Sequence, residues 1–213
     1  MKIEFKHIIP YPLKNNLPVE KSIWGGNYEW NAPQKTLLNA VSGKGKSTFV
    51  GIVSGIRTDF DGVLSINGKG STQFSTTEWS ALRTNLIATV YQDLQLFLEL
   101  TILENLQVKN NLTNHFTEQK LLQLIDKVGL TAHLSKKCNL LSLGQQQRVA
   151  ILRALCQPFK LLIMDEPFSH LDKRNESIIL TLLNDQLKAN NAGLIMTTLG
   201  EKSTINFDNE IVI

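Results

Sequence analysis

The sequence predicts an α/β fold built on a mostly parallel sheet, with a helical subdomain inserted between two of the strands. Short apolar runs alternate with helical patterns along the chain, and in such an order each helix connects one parallel strand to the next. Between about residue 94 and residue 157 the pattern stays helical from one predicted strand to the next. This stretch is therefore the predicted insertion.

The predicted strands are short apolar runs bounded by turn-forming or charged residues. The run at 63–66, for example, lies between Gly62 and the pair Asn67-Gly68. Glycine and asparagine favour tight turns, so both ends of that strand are marked. The complete set comprises residues 36–41, 63–66, 86–91, 161–164, 194–197 and 211–213.

The predicted helices are recognised by apolar residues that recur every three or four positions. Two of them, at 46–54 and 177–187, each follow a predicted strand. A longer helical pattern covers 101–137, where the spacing indicates one buried face. That face carries Leu121, Leu122, Leu124, Ile125 and Val128.

Length and composition limit the classes of protein that fit the chain. The 213 residues are 42% hydrophobic and 19% charged, which is typical of one globular domain spanning 1–213. The net charge of +3 is too small to indicate a nucleic-acid partner, and the apolar runs are far shorter than the roughly 18 residues of a membrane span. Two cysteines do not make a disulfide framework, so we expect a reducing, cytoplasmic location.

A glycine- and lysine-rich segment between the strand at 36–41 and the helix at 46–54 has the features of a phosphate-binding loop. Glycine lets the backbone turn tightly, so that N–H groups converge on phosphate oxygens at a helix N-terminus. Lys46 offers a charge to the β- and γ-phosphates, and the Ser47 hydroxyl is a ligand for Mg²⁺. The alternative is an ordinary glycine-rich turn. The candidate nucleotide-binding residues are Ser42, Gly43, Lys44, Gly45, Lys46, Ser47 and Thr48.

Two carboxylates, Asp165 and Glu166, directly follow the apolar run at 161–164. They are predicted at the C-terminal end of a buried strand, which is the edge where open α/β sheets bind ligands. Asp165 could hold Mg²⁺ there through water, and Glu166 could polarise an attacking water. The alternative is a strand that merely ends in solvated carboxylates.

Further motifs follow in an order that resembles one family. The segment Leu-Ser-Leu-Gly-Gln at 141–145 resembles the signature motif of ATP-binding cassette (ABC) ATPases, whose usual form is Leu-Ser-Gly-Gly-Gln. Gln92, after a predicted strand, is similar to the family's Q-loop, and Ser-His-Leu-Asp at 169–172 resembles its D-loop. With the phosphate loop and the Asp165-Glu166 pair, these motifs cover essentially the whole chain.

The resemblance implies a P-loop NTPase fold with an antiparallel β part near the N-terminus, and ATP and Mg²⁺ as cofactors. It also implies a head-to-tail dimer, as a homodimer or with a paired cassette, in which each ATP lies between one chain's phosphate loop and the other chain's signature. Ser142, Gly144 and Gln145 would then face the γ-phosphate at the positive end of a helix.

The resemblance also implies roles for individual side chains. Glu166 would be catalytic, and Gln92 would sense the γ-phosphate and join Ser47 and Asp165 as a metal ligand. A plain surface role is the alternative for Gln92. Asp172 would contact the dimer partner near the nucleotide, and a helix N-cap before Lys173 is the alternative.

The chain departs from the family pattern at Ala40, Leu143 and Thr198. Ala40 takes the place of the phosphate loop's first glycine, and Leu143 stands at the third signature position. Thr198 occupies the place of the switch histidine; its hydroxyl can donate a hydrogen bond to γ-phosphate but cannot carry the proton of an imidazole. We therefore expect hydrolysis to be slow, to rely more on Glu166, or to be lost.

The aromatic residue that would stack on adenine is not fixed by the motifs. Tyr11 has the best position, with Trp24 and Tyr28 as further candidates. Each of them fits a packing role equally well.

The favoured function is the ATPase subunit of a membrane transporter, held on the cytoplasmic face of the membrane by a separate permease. The motifs look like those of small bacterial lipoprotein-releasing or division-type cassettes. The apolar segment at 92–106 is a candidate docking surface, and local core packing is its alternative.

Two other functions remain as alternatives. A soluble cassette ATPase that acts on DNA or ribosomes is disfavoured by the length and by the small charge. A catalytically weak regulatory cassette fits the departures from the pattern, but the retained Lys46, Ser47, Asp165 and Glu166 disfavour it.

Overall fold

The computed structural model describes residues 1–14, 22–39, 45–198 and 205–213 of the chain. Strands and helices are numbered separately in chain order. The strands are β1 (Lys2–Pro10), β2 (Asn27–Asn31), β3 (Lys35–Asn39), β4 (Phe60–Ile66), β5 (Lys69–Gly70), β6 (Ile87–Val90), β7 (Leu161–Asp165), β8 (Gly193–Thr198) and β9 (Asn209–Val212). The helices are α1 (Lys46–Val53), α2 (Thr76–Asn85), α3 (Ile102–Asn110), α4 (Glu118–Lys127), α5 (Leu143–Leu155) and α6 (Lys173–Asn190).

The strands form two sheets. One has the order β6-β7-β8-β3-β9, and every pairing in it is parallel. The other has the order β2-β1-β4-β5, and every pairing in it is antiparallel. The prediction of a mostly parallel core sheet with an antiparallel part near the N-terminus is confirmed.

The centre of the parallel sheet is apolar and enclosed. All five residues of β7 are buried, and so are the first five of β8. Helices connect parallel strands across both faces of a sheet, so central strands have no solvent-facing side and become continuous apolar runs. That is why β7 and β8 appear in the sequence as continuous apolar runs.

The antiparallel sheet supports the helix that follows the phosphate loop. Along β1, Ile3, Phe5 and Ile8 are fully buried, and between them lie charged residues on the exposed face. The Phe5 ring stacks on Phe49 of α1 with 5.3 Å between the ring centroids. Burial of such aromatic pairs fixes α1, and with it the loop's C-terminal end, against the sheet.

Helices α3, α4 and α5 lie in sequence between β6 and β7, which are neighbours in the parallel sheet. Their inward faces share a core that includes Leu106, Leu124 and Ile151. Helix α3 begins at a Thr101 N-cap, and α4 begins at a Thr117 N-cap. Among the described residues, no helix is both long and apolar enough to cross a membrane.

The structure differs from the sequence prediction mainly at element boundaries. The helical pattern at 101–137 is two α-helices, α3 and α4, followed by short 3₁₀ turns, rather than one continuous helix. Strands β1, β2 and β5 and helix α2 were not predicted as individual elements. In β1 the charged residues of the exposed face interrupt the apolar run, and α2 has a single buried residue, Leu82, so neither has a strong apolar pattern.

Candidate functional site

The carboxyl ends of three neighbouring parallel strands bring the predicted site residues to one edge of the sheet. Strand β3 leads into the phosphate loop, β7 ends at Asp165, and β8 ends at Thr198. The register pairs Asp165 with Thr197 and Asn39 with Thr198. This edge is where open α/β sheets bind ligands, because loops and helix N-termini converge there.

At this edge the Ser47 hydroxyl donates a hydrogen bond of 3.1 Å to Oδ2 of Asp165. Asp165 is only 3% exposed. Both side chains line a cavity of about 420 Å³, and Gln92 lines it too. The carboxylate, hydroxyl and amide oxygens are the hard donors that Mg²⁺ prefers, so this set fits the ion.

The carboxylate of Glu166 joins two other predicted site residues. Its Oε1 lies 3.0 Å from Nζ of Lys46, and both side chains are less than a tenth exposed. Its Oε2 accepts a hydrogen bond of 3.3 Å from Nε2 of Gln92. The phosphate-loop lysine, the Q-loop glutamine and the glutamate after β7 therefore form one contiguous group.

The backbone of Glu166 is held by two residues that sequence reasoning missed, Thr197 and Gln147. Glu166 has a φ of 48°, an uncommon conformation for a residue other than glycine. Its N–H donates to Oγ1 of Thr197 at 3.0 Å, and its carbonyl accepts from Nε2 of Gln147 at 3.2 Å. Both partners are buried polar residues. Thr197 directly follows the apolar run 194–196, which was an available signal, whereas Gln147 lies among polar residues in the sequence and had none.

The described end of the phosphate loop is tightly packed. Gly45 has a φ of 109°, and a Cβ there would lie 2.8 Å from Cδ1 of Leu13. The positive φ favours glycine here, whereas the Leu13 methyl group lies at the end of a flexible side chain and could move aside. Thr48, one turn into α1, accepts a hydrogen bond from Arg57. The predicted residues Ser42, Gly43 and Lys44, and also Ala40, lie outside the described residues.

The signature segment forms the N-terminus of α5. Ser142 is the N-cap: its hydroxyl accepts from the N–H of Gln145, whose side chain accepts from the N–H of Ser142. Leu143 is 56% exposed, so the departure from the usual glycine places an apolar side chain in solvent. A Cβ on Gly144 would lie 2.6 Å from the carbonyl oxygen of His170, which explains the glycine at this position by close packing.

Asp172 is the N-cap of α6, as the alternative interpretation predicted. Its Oδ1 accepts a hydrogen bond of 2.8 Å from the N–H of Asn175. This backbone hydrogen bond holds the pKa of the Asp172 carboxyl below its ordinary value. Asp172 also lines a cavity of about 450 Å³ together with Ser142, Gly144 and Gln145. Its contact with a dimer partner stays a prediction.

The signature-side cavity and the cavity beside Asp165 share no lining residue. Gln147 links the two regions, because it contacts the Glu166 carbonyl at one end and accepts from the N–H of His170 at the other, at 3.1 Å. The structure thus places the catalytic and metal-binding candidates around Asp165 and the signature residues in two groups, and the buried side-chain amide of Gln147 joins them.

The aromatic candidates for adenine stacking have different environments. Tyr11 is 50% exposed in a short 3₁₀ turn, and Nζ of Lys14 lies 4.1 Å from its ring centroid. Trp24 is buried between Phe5 and Phe49. Tyr28 packs edge-on against Phe5, and burial raises the pKa of its hydroxyl.

A groove of about 320 Å³ lies near the Q-loop, beside β6, α3 and α5. Three positively charged side chains line it, those of Arg83, Lys109 and Arg153, and within the described ranges none of them forms an ion pair with a carboxylate. Burial lowers the pKa of Lys109, and the charges of Arg153 and Arg83 lower it further. The exposed apolar lining comprises Phe97, Val108 and Leu112.

The chain is similar to known proteins over most of its length. The family described as ABC transporter matches residues 27–169. The ABC transporter ATP-binding protein YtrE of Bacillus subtilis is 35% identical over 67% of this chain and 63% of its own length. The lipoprotein-releasing system ATP-binding protein LolD of Psychrobacter arcticus is 30% identical over 79% of this chain and 76% of its own length. The match thus spans less than two thirds of the length of YtrE.

The fold is also that of a solved cassette. The dimeric structure of MJ0796, a bacterial ABC transporter cassette, has a TM-score of 0.79 to this chain at 24% identity, and the match covers 92% of this chain and 88% of that one. The two sheets and the inserted helices are therefore the cassette fold. With the family match, the phosphate-loop lysine beside the glutamate after β7, and the capped signature helix, this places the chain in the ABC transporter family.

Proposed function

We propose that the chain binds and hydrolyses ATP with Mg²⁺ as the nucleotide-binding subunit of an ABC transporter. The observation that carries this proposal is the contiguous group of Lys46, Ser47, Gln92, Asp165 and Glu166 at the carboxyl edge of the parallel sheet. YtrE and LolD are both named as ATP-binding proteins of transport systems, which supports the same function here.

We propose that Ser47, Asp165 and Gln92 hold the metal ion, and that Lys46, Thr48 and residues 42–45 hold the phosphates. Bound Mg²⁺ supplies neutralisation of phosphate charge in such sites. Ser47 and Asp165 already lie at hydrogen-bond distance, 3.1 Å, so little rearrangement is needed to place both oxygens on one ion. Tyr11 is the proposed adenine contact, because it is the half-exposed member of the aromatic candidates.

We propose that Glu166 orients and deprotonates the attacking water. In the structure its carboxylate is paired with the Lys46 ammonium at 3.0 Å. A phosphate group competes for the same ammonium, so nucleotide binding would draw Lys46 away and leave the carboxylate to accept a proton. Gln92, which donates to the other carboxylate oxygen, would keep the side chain oriented during this exchange.

We propose that a second copy of the chain, or a paired cassette, completes the site. The signature residues Ser142 and Gly144 line a cavity that has no residue in common with the one beside Asp165. The helix N-terminus at Ser142 therefore fits the γ-phosphate of a nucleotide held by a different chain. Asp172, on the rim of that cavity, would lie at the same contact.

We propose that the membrane partner, a separate permease, docks an acidic amphipathic segment in the cationic groove of Arg83, Lys109 and Arg153. The groove has three positive charges and exposed apolar side chains, so a segment with carboxylates and apolar residues complements it. Its lining includes Tyr91 and Gln95, which flank the Q-loop glutamine, so an occupant would act on the nucleotide site. On this proposal the chain lies on the cytoplasmic face of the membrane, as one domain with residues 94–157 as its partner-facing subdomain.

Lys46→Ala is expected to weaken ATP binding about tenfold or more, because the phosphates lose a charge-assisted hydrogen bond. Titration with a fluorescent ATP analogue measures the affinity. Lys173→Ala is the matched control, since Lys173 is 88% exposed at the start of α6. Equal affinities for the Lys46 variant and the parent would contradict the phosphate-loop assignment.

Glu166→Gln is expected to keep ATP binding and to slow turnover by about a hundredfold or more, the usual loss when a general base is removed. Phosphate release measures turnover, and light scattering measures the mass of the chain in Mg·ATP and in Mg·ADP. The variant should be a dimer in ATP and a monomer in ADP. Glu118→Gln on α4 is the control, and a Glu166 variant with parental turnover would remove Glu166 from the chemistry.

Thr198→His is expected to raise the rate of hydrolysis several-fold, because an imidazole at the end of β8 can hold a proton near the γ-phosphate whereas a hydroxyl cannot. Single-turnover hydrolysis measures the effect apart from binding. A rate unchanged by this substitution would mean that Thr198 does not limit turnover.

Lys109→Glu is expected to reduce binding of the purified chain to inside-out membrane vesicles from its own cell by about tenfold, since it reverses a charge of the groove. Co-sedimentation at low and at high salt measures the binding, which should fall as salt rises. Lys127→Glu makes the same charge change at the end of α4. Equal losses for both variants would place the docking surface elsewhere.

A further inference from the structure

We propose that Thr197 is a positioning residue for ATP hydrolysis: its single hydroxyl orients the Asp165 carboxylate toward the metal and anchors the backbone of Glu166, whose carboxylate acts on the attacking water. The inference rests on the proposed function and adds a residue that none of the recognised motifs contains. It follows from the hydrogen bonds of one buried side chain.

Thr197 lies on β8 directly opposite Asp165 in the register of the parallel sheet, and it is fully buried. Its Oγ1 donates a hydrogen bond to Oδ1 of Asp165. The same oxygen accepts from the N–H of Glu166 at 3.0 Å. The Thr197 hydroxyl thus donates to the carboxylate of Asp165 and accepts from the backbone N–H of Glu166.

This arrangement divides the two oxygens of Asp165 between different partners. Oδ1 is engaged by Thr197, and Oδ2 is 3.1 Å from the Ser47 hydroxyl on the cavity side. The hydrogen bond to Oδ1 therefore fixes the rotation of the carboxylate, with Oδ2 presented where a metal ion would bind. Outer hydrogen bonds of this kind orient metal ligands and strengthen metal binding.

The Thr197 hydroxyl also provides a hydrogen-bond partner for the backbone N–H of Glu166. Glu166 follows the last residue of β7, and its N–H donates to the side chain of Thr197 instead of to a strand carbonyl. A buried N–H without a partner is costly, and Thr197 supplies that partner. The strands themselves do not need this bond, because β7 and β8 are already paired from Leu161 to Asp165 through their backbones.

The test compares Thr197→Val, which keeps the shape and removes the hydroxyl, with Thr197→Ser, which keeps the hydroxyl. Affinity for a fluorescent ATP analogue is measured in EDTA and then in excess Mg²⁺, and the ratio gives the gain due to the metal. For Thr197→Val we expect an EDTA affinity within about twofold of the parent and a metal-dependent gain reduced about tenfold, the value of one hydrogen bond to a charged group. Thr197→Ser should retain the parental gain.

Thr36→Val is the matched control. Thr36 is equally buried on the adjacent strand β3, where it pairs with Ile195, and within the described residues its hydroxyl makes no hydrogen bond to Asp165 or Glu166. It should keep the parental metal-dependent gain. If Thr197→Val does not fold, Thr197→Cys provides the same measurement, since a thiol is a weak donor and should lose most of the gain.

The outcomes separate this inference from the function on which it rests. A parent chain that gains affinity with Mg²⁺, together with a Thr197→Val variant that gains as much, overturns the inference and leaves the proposed function intact. Equal losses in Thr197→Val and Thr36→Val also overturn it, because they indicate packing alone. A parent chain with no metal-dependent gain contradicts the proposed function, and the inference fails with it.

Discussion

The parallel pairing of β7 with β8 is the constraint on which the candidate site depends. It places Asp165 opposite Thr197, so the carboxylate at the end of one buried strand meets a hydroxyl at the end of the next. From there the contacts spread outward: Ser47 bonds Asp165, Lys46 pairs with Glu166, and the Q-loop glutamine bonds the same glutamate. These side chains come from α1, from the Q-loop and from the end of β7, and all of them depend on strand ends that are level with one another.

The signature residues are connected to the group around Asp165 by hydrogen bonds and close packing, not by ion pairs. Gln147 on α5 reaches the Glu166 carbonyl and the N–H of His170, and Gly144 lies where any side chain would strike the His170 carbonyl. A movement of the signature helix would therefore act directly on the backbone of Glu166. Packed elements of this kind shift as units, which is how a change at one surface can reach a catalytic group.

Residues at strand ends could be predicted from the sequence because an apolar run followed by charge or glycine is a strong local pattern. Asp165, Glu166 and Lys46 were found in this way, and the parallel sheet followed from the alternation of runs and helices. Thr197 and Gln147 were not found, because their importance depends on partners 32 and 19 residues away in the chain, Asp165 and the Glu166 carbonyl. Helix α2 was missed for a different reason: with one buried residue, its sequence has almost no apolar period.

The place of β3 in the parallel sheet has a consequence for synthesis on the ribosome. Both of its neighbours, β8 and β9, lie far along the chain from it, beyond residue 192. Strand β3, which precedes the phosphate loop, is therefore made early but stays unpaired until residues beyond 192 have been translated. Unpaired apolar strands are prone to aggregate, so the nascent chain is exposed longest at the very strand that positions Lys46.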